Sequence, residues 1–210
     1  FANFTMRNLA VLQADSNTAN NTTFGILEFN DSTSGQSPVS TTAILGTGVD
    51  AMRISGSATS TGYLSLTNDQ TLLTFTAANS TNASSNVNTL NPRAVGTLGY
   101  TQAFTKATTY TGNSGSQTRS ATSLDNTNWF IGDQGGLYTN GTNAASPIGN
   151  FRKVHAFGGA VYGMTASTTA APVGTFANYT GSTYAGLAGL ANGDSTYQDF
   201  YLVKSGSSGS

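Results

Sequence analysis

The sequence predicts an all-β fold, and three observations carry that prediction. Only 8% of the 210 residues are Asp, Glu, Lys or Arg, against about 25% in ordinary domains, so the helix-favouring Glu, Lys, Arg and Gln are scarce. Thr, aromatic residues and Gly are abundant and favour strands and turns. Between Arg119 and Met164 one grammar repeats: a short strand, a turn of Asp, Asn or Gly, then a more apolar strand. Trp129-Phe130-Ile131 and Ala160-Val161-Tyr162 are the apolar strands. Gly135-Gly136 and Gly158-Gly159 permit the positive φ angles of tight hairpins. Helix is expected to reach a turn or two at most.

Taken in order, Leu9–Gln13 and Phe24–Phe29 read as two strands joined by the Asn-rich loop 15–23. A third strand is expected at Ser40–Leu45, after the turn-rich stretch from Asp31 to Pro38. Residues 49–78 give the clearest unit. Ala51–Ile54 and Thr61–Leu66 are strands, Thr67–Gln70 is a turn whose Asn and Asp bond their own backbone, and Leu72–Thr76 returns. Ala94–Tyr100 can pair outside it, beyond the polar loop 77–92. Gln102–Tyr110 follows, then the two hairpins, and Tyr197–Val203 reads as a last strand.

This spacing suits a β-propeller, of which about 40–45 residues per blade make four to five blades visible; a β-sandwich is the alternative. An incomplete ring would leave strand edges open. Either more chain follows, or another subunit covers the edge, or the fold is a sandwich. Residues 1–204 are read as one domain, and the Ser/Gly run 205–210 as a flexible end.

The segments GSATSTGYLSLTNDQTLLTFTA (56–77), RSATSLDNTNWFIGDQGGLYTN (119–140) and GLAGLANGDSTYQDFYLVKSG (186–206) resemble uncharacterised secreted bacterial β-propeller proteins. The resemblance lies in blade grammar over most of residues 5–205. It implies a propeller longer than this chain, and it brings no catalytic residues.

Composition narrows the function. The formal net charge is −1, and no basic stripe offers itself to a phosphate backbone, so nucleic acid is not an expected partner. No apolar run approaches the roughly 20 residues of a membrane span. Cysteine is absent, which excludes disulfides and thiolate chemistry. No signal peptide opens the chain, so a secreted protein of this sequence would be a mature form.

The chemistry-bearing residues are few. His155 is the one histidine; on the strand FRKVHAF alternation sets it on the face of Phe151 and Phe157, as a half-buried strand histidine. No G-x-S-x-G elbow accompanies it. The acids stand mostly at turns, although Asp125 and Asp133 flank the Trp129 strand and could converge. Asp125–Asn128 and Asn192–Ser195 offer oxygens but no full calcium loop, and one histidine cannot build a zinc site. No metal or cofactor is expected.

Arg53, Arg119 and Arg152 recur at like places in the units. On innermost strands they would line a channel and hold an anion or acidic sugar; otherwise each pairs with a neighbouring carbonyl or Asp. Trp129, Tyr138 and Tyr162 are candidate sugar platforms. N-x-[ST] triplets begin at Asn3, Asn20, Asn21, Asn30, Asn79, Asn82, Asn140 and Asn178, all on expected loops or strand ends where a glycan is accessible. Asn, Ser and Thr are abundant enough for chance to produce many of them.

The expectation is a non-enzymatic extracellular or cell-surface structural or adhesion protein. It would meet copies of itself in a fibre or array, and it could carry glycans. A carbohydrate-binding module and a propeller hydrolase or lyase are the alternatives.

Overall fold

The computed structural model describes residues 3–177, 183–193 and 196–203. Those residues form four antiparallel sheets, each built from consecutive strands in chain order. The first holds β1 (Leu9–Ala14), β2 (Phe24–Phe29) and β3 (Ser40–Ile44). The second holds β4 (Ser65–Leu66), β5 (Leu73–Ala78), β6 (Arg93–Leu98) and β7 (Phe104–Tyr110). The third holds β8 (Thr118–Ser123), β9 (Trp129–Asp133) and β10 (Gly136–Tyr138). The fourth holds β11 (Phe151–Phe157), β12 (Ala160–Thr165), β13 (Val173–Phe176) and β14 (Tyr184–Gly186). One 3-10 turn, Val87–Thr89, is the helical content among the described residues. None of their helices is long and apolar enough to cross a membrane.

The fold is therefore all-β, as expected. Several expected elements differ. Ala51–Ile54 makes isolated bridges, Ile54 to Thr22 and Arg53 to Ala78, instead of a ladder. The strand expected from Thr61 shortens to Ser65–Leu66, and the strand expected at 197–203 takes part in no ladder among the described residues. β13 and β14 occupy a stretch too glycine-broken to read as strand. The four sheets do not close into a barrel or ring among the described residues. The run 205–210 lies outside the described residues.

Packing proceeds in chain order. Phe24, Ile26 and Ile44 of the first sheet bury against Phe75, Ala77, Ala94 and Leu98 of the second. Val95 and Tyr110 of the second meet Ala121, Trp129, Ile131 and Tyr138 of the third. Phe130 and Leu137 of the third meet Phe151, Val154, Ala156, Val161 and Phe176 of the fourth. β9 shows the cause. Its period-2 alternation sends Trp129 and Ile131 towards the second sheet and Phe130 towards the fourth. Each such side chain contributes roughly 1.5–3 kcal/mol on burial. Gly96 and Gly163 make room for rings: a Cβ on either would stand 2.4 Å from Phe75 or Phe176. In the β11–β12 hairpin Gly158 and Gly159 have φ of 59° and 83°, the two left-handed residues a two-residue turn requires.

Three sheets also meet through their first strands. Tyr63 and Asn68 donate backbone N–H groups to the carbonyls of Arg119 and Ser123, and Thr122 Oγ1 donates to the Leu66 carbonyl at 2.7 Å. Across β8, the Val154 and Ala156 amides donate to Ser120 Oγ at 2.8 Å and Thr122 Oγ1 at 2.9 Å. Segment 63–68, β8 and β11 thus run side by side in one direction. Every residue of β8 is buried; short hydroxyl side chains let the backbones approach while satisfying each other's polar groups.

Candidate functional site at the meeting of the first strands

A cavity of about 180 Å³ opens beside this bundle, walled by Leu64, Leu66 and Leu73 and by Phe200 and Tyr201, with Ser65, Lys153 and His155 at its polar side. His155 reaches it through a bulge. The β11–β12 register shifts between Phe151 and Lys153, so Phe151 turns into the core. His155 instead stacks near Phe157, centroids 6.4 Å apart. The expected common face of Phe151 and His155 is corrected accordingly: strict alternation does not survive a bulge.

Ser65 Oγ lies 2.8 Å from His155 Nδ1 and 2.8 Å from the Val154 carbonyl. The carbonyl only accepts, so the serine proton goes to it and Nδ1–H donates to Ser65 Oγ. Nε2 is left as a bare acceptor. Burial lowers the His155 pKa, the Lys153 charge lowers it further, and Asp199 opposes both. The ring is neutral near pH 7. The pair does not make an activated nucleophile: Ser65 is 4% exposed, its proton is committed to a carbonyl, and no acid lies within hydrogen-bond distance of His155 among the described residues.

A segment of chain, 196–203, lies across this site. Arg152 Nη1 donates to the Tyr197 carbonyl, and the Tyr63 hydroxyl donates to Gln198 Oε1 at 2.7 Å. Lys153 Nζ sits 2.9 Å from Asp199, and Phe200 and Tyr201 close the cavity.

The expected ring of arginines is not assembled. Arg53 donates through Nε to Asn21 Oδ1, where the bridge between Arg53 and Ala78 ties the loop to the second sheet. Arg119 and Arg152 do share one end of the bundle. Arg119 donates to the Ser60 carbonyl and to Asn150 Oδ1. Burial pulls its pKa down to about 10, with Tyr63 opposing and Arg152 adding to the fall. At 2% exposure, it clasps backbone and does not meet solvent anions. Among the candidate platforms Trp129 and Tyr138 are 2% and 1% exposed and present no face to a sugar; Tyr162 is half-buried on the outer face of the fourth sheet.

The sequons divide by what their side chains do. Asn21 is buried and donates to the Asn82 and Ser85 carbonyls. Asn79 donates to the Ala51 carbonyl at 2.7 Å, and Asn140 Oδ1 accepts the Trp129 amide at 3.0 Å. These three amides are structural. Asn3, Asn20, Asn30 and Asn82 are exposed, and Asn178 lies outside the described residues.

Asp125 and Asp133 do not converge; they stand at opposite ends of β9. Asp125 accepts the amides of Asn128 and Thr127, which hold its pKa down to about 2, and those turn bonds use the oxygens a calcium ion would need. Asp194 and Ser195 of the other oxygen-rich run lie outside the described residues. No group of three His, Asp or Glu gathers among the described residues. Asp133 forms the pair that sequence reading missed: Arg93 Nη1 lies 2.7 Å from it, both side chains fully buried. The Tyr110 hydroxyl donates to it at 2.8 Å, and Arg93 Nη2 donates to the Asn88 and Asn113 carbonyls. The signal available was an arginine at the head of the apolar run RAVGTL. Comparison with known protein families, curated proteins and solved structures finds no match.

Proposed function

We propose that the chain is a non-enzymatic structural or adhesion protein of the extracellular or cell-surface kind. In this reading its four sheets are successive blades of a β-propeller, and it meets copies of itself. The observation that carries the reading is the outer face of the first sheet. Leu9 and Val11 stand 57% and 42% exposed on β1, which has one ladder partner, β2. Of their cross-strand neighbours, Phe29 is half-buried and Leu27 is buried at 8% exposure, while Val39 beside β2 is 57% exposed. An apolar face next to an open strand edge invites association, and a net charge of −1 does little to oppose it. The chemistry-bearing groups support the non-enzymatic half, because Asp69, Asp125, Asp133, Arg93 and Arg119 are held by local turns, buried pairs or backbone carbonyls.

Light scattering across a concentration series tests the proposal. Association is expected to rise with concentration in the parent chain and to fall in a Leu9→Asp/Val11→Asp double variant. A parent chain that stays monomeric at every concentration overturns the reading.

A further inference from the structure

The segment 196–203 is held in an unusual way. It takes part in no ladder, yet four different groups of the bundle grip it in sequence. The Arg152 guanidinium binds the Tyr197 carbonyl, the Tyr63 hydroxyl binds the Gln198 side chain, Lys153 binds Asp199, and the apolar cavity takes Phe200. The grip recognises a sequence: an amide side chain, then a carboxylate, then an aromatic ring. With the segment in place Arg152 and Lys153 are 8% and 9% exposed. The segment itself stays largely solvated: the Asp199 side chain is 52% exposed, and Tyr197, Tyr201 and Val203 are 45%, 87% and 70% exposed. The segment is joined to β14 only through residues 187–195. The Arg152, Tyr63 and Lys153 contacts are side-chain clasps on a partly solvated segment, the low-stability end of a structure's local openings.

We infer that this groove is an exchange site, in which residues 196–203 of one copy dock across the Arg152–Lys153–His155 strand of a second copy. The occupant is a second copy because the groove is complementary to the chain's own segment: Lys153 faces Asp199, and the cavity fits Phe200. Exchanging an element between identical chains keeps every contact and adds no new interface to be invented. The exchange rests on the reading that the chain meets its own copies, and it names a second surface for that meeting besides the first sheet. The described residues of the segment pair in no ladder, so no ladder has to be unzipped before it leaves.

The test reverses one charge pair. Lys153→Glu sets a carboxylate against Asp199, and Asp199→Lys sets an ammonium against Lys153, so each variant disfavours its own segment, whether bound within the chain or between copies. Mixed, the groove of the Lys153→Glu variant and the segment of the Asp199→Lys variant are complementary between chains only. Size-exclusion with light scattering on each variant and on the equimolar mixture is the measurement, with circular dichroism confirming that both variants remain folded. The expected result is a 1:1 dimer in the mixture at a concentration about tenfold below that at which either variant alone associates, a difference of about 1.4 kcal/mol. A Lys153→Glu/Asp199→Lys chain, with the pair restored in reversed order, should behave like the parent. A mixture that associates no more than its components overturns the exchange. If the parent chain still associates in that case, the proposed function stands and the surface lies elsewhere, at the first sheet.

Discussion

Asp133 and His155 define the residue scale. Asp133 reads in the sequence as a turn acid, and its turn role exists, since it accepts the Gly135 amide at 2.9 Å. Its partner Arg93 lies 40 positions away, a distance no local pattern spans. Removing one member of a buried ion pair leaves the other charge uncompensated, at a cost of about 3–5 kcal/mol. Asp133→Asn should lower stability by that order in urea unfolding; a change under about 1 kcal/mol would mean that Arg93 finds another acceptor. His155 was legible as a half-buried strand histidine, but not its face, because a bulge leaves no mark in residue types. Burial holds its folded pKa below the unfolded value, which is about 6.5. The unfolded chain therefore binds more protons as pH falls through that value, and stability declines over the window just beneath it. Melting temperatures from pH 7.5 to 5 should fall more steeply for the parent than for His155→Gln, and parallel profiles would refute the assignment.

β8 and β2 mark the two extremes at the scale of elements. β2, FGILEF, is a continuous apolar run bounded by polar loops, and its limits follow directly from sequence. β8, TRSATS, looks like a solvated strand and is instead buried along its whole length. What makes burial possible is tertiary: the Ser120 and Thr122 hydroxyls find backbone partners on neighbouring sheets, Ser123 caps its own turn at the Asn128 carbonyl, and no spacing within the strand announces that. Thr122 is the sharpest case, since its Oγ1 both accepts from Ala156 and donates to Leu66. Thr122→Val keeps the shape and orphans both groups, at about 1–3 kcal/mol for each buried polar group left unpaired. A destabilisation on the order of 3 kcal/mol is expected by chemical denaturation, with Thr122→Ser retaining most of the parent stability. Equal effects of the two substitutions would place the contribution in packing. β13 and β14 escaped sequence reading for the opposite reason: glycine removes the side chains from which strands are recognised.

For the molecule as a whole, the repeated strand-turn-strand grammar anticipated meander sheets following one another along the chain. Stacking in chain order adds what sequence does not contain, namely which face of each sheet is covered. Leu9 and Val11 of the first sheet are left exposed, whereas the fourth sheet beside His155 is covered by Phe200 and Tyr201; the proposed association and exchange rest on these two places. The hydroxyl-lined meeting of segment 63–68, β8 and β11 has a thermodynamic consequence. Exposing apolar surface raises the heat capacity of the unfolded chain by about 0.45 cal/K/mol per Å², whereas exposing polar surface lowers it by about 0.26. A centre built from Ser65, Thr74, Thr76, Ser120 and Thr122, each at most 4% exposed, cancels part of the apolar contribution of the flanking clusters. Calorimetry should give a heat-capacity increment below the usual 12–15 cal/mol/K per residue. The stability curve is then flatter than that of an oil-cored domain of equal size, and folding holds over a wider span of temperature, towards cold as well as heat.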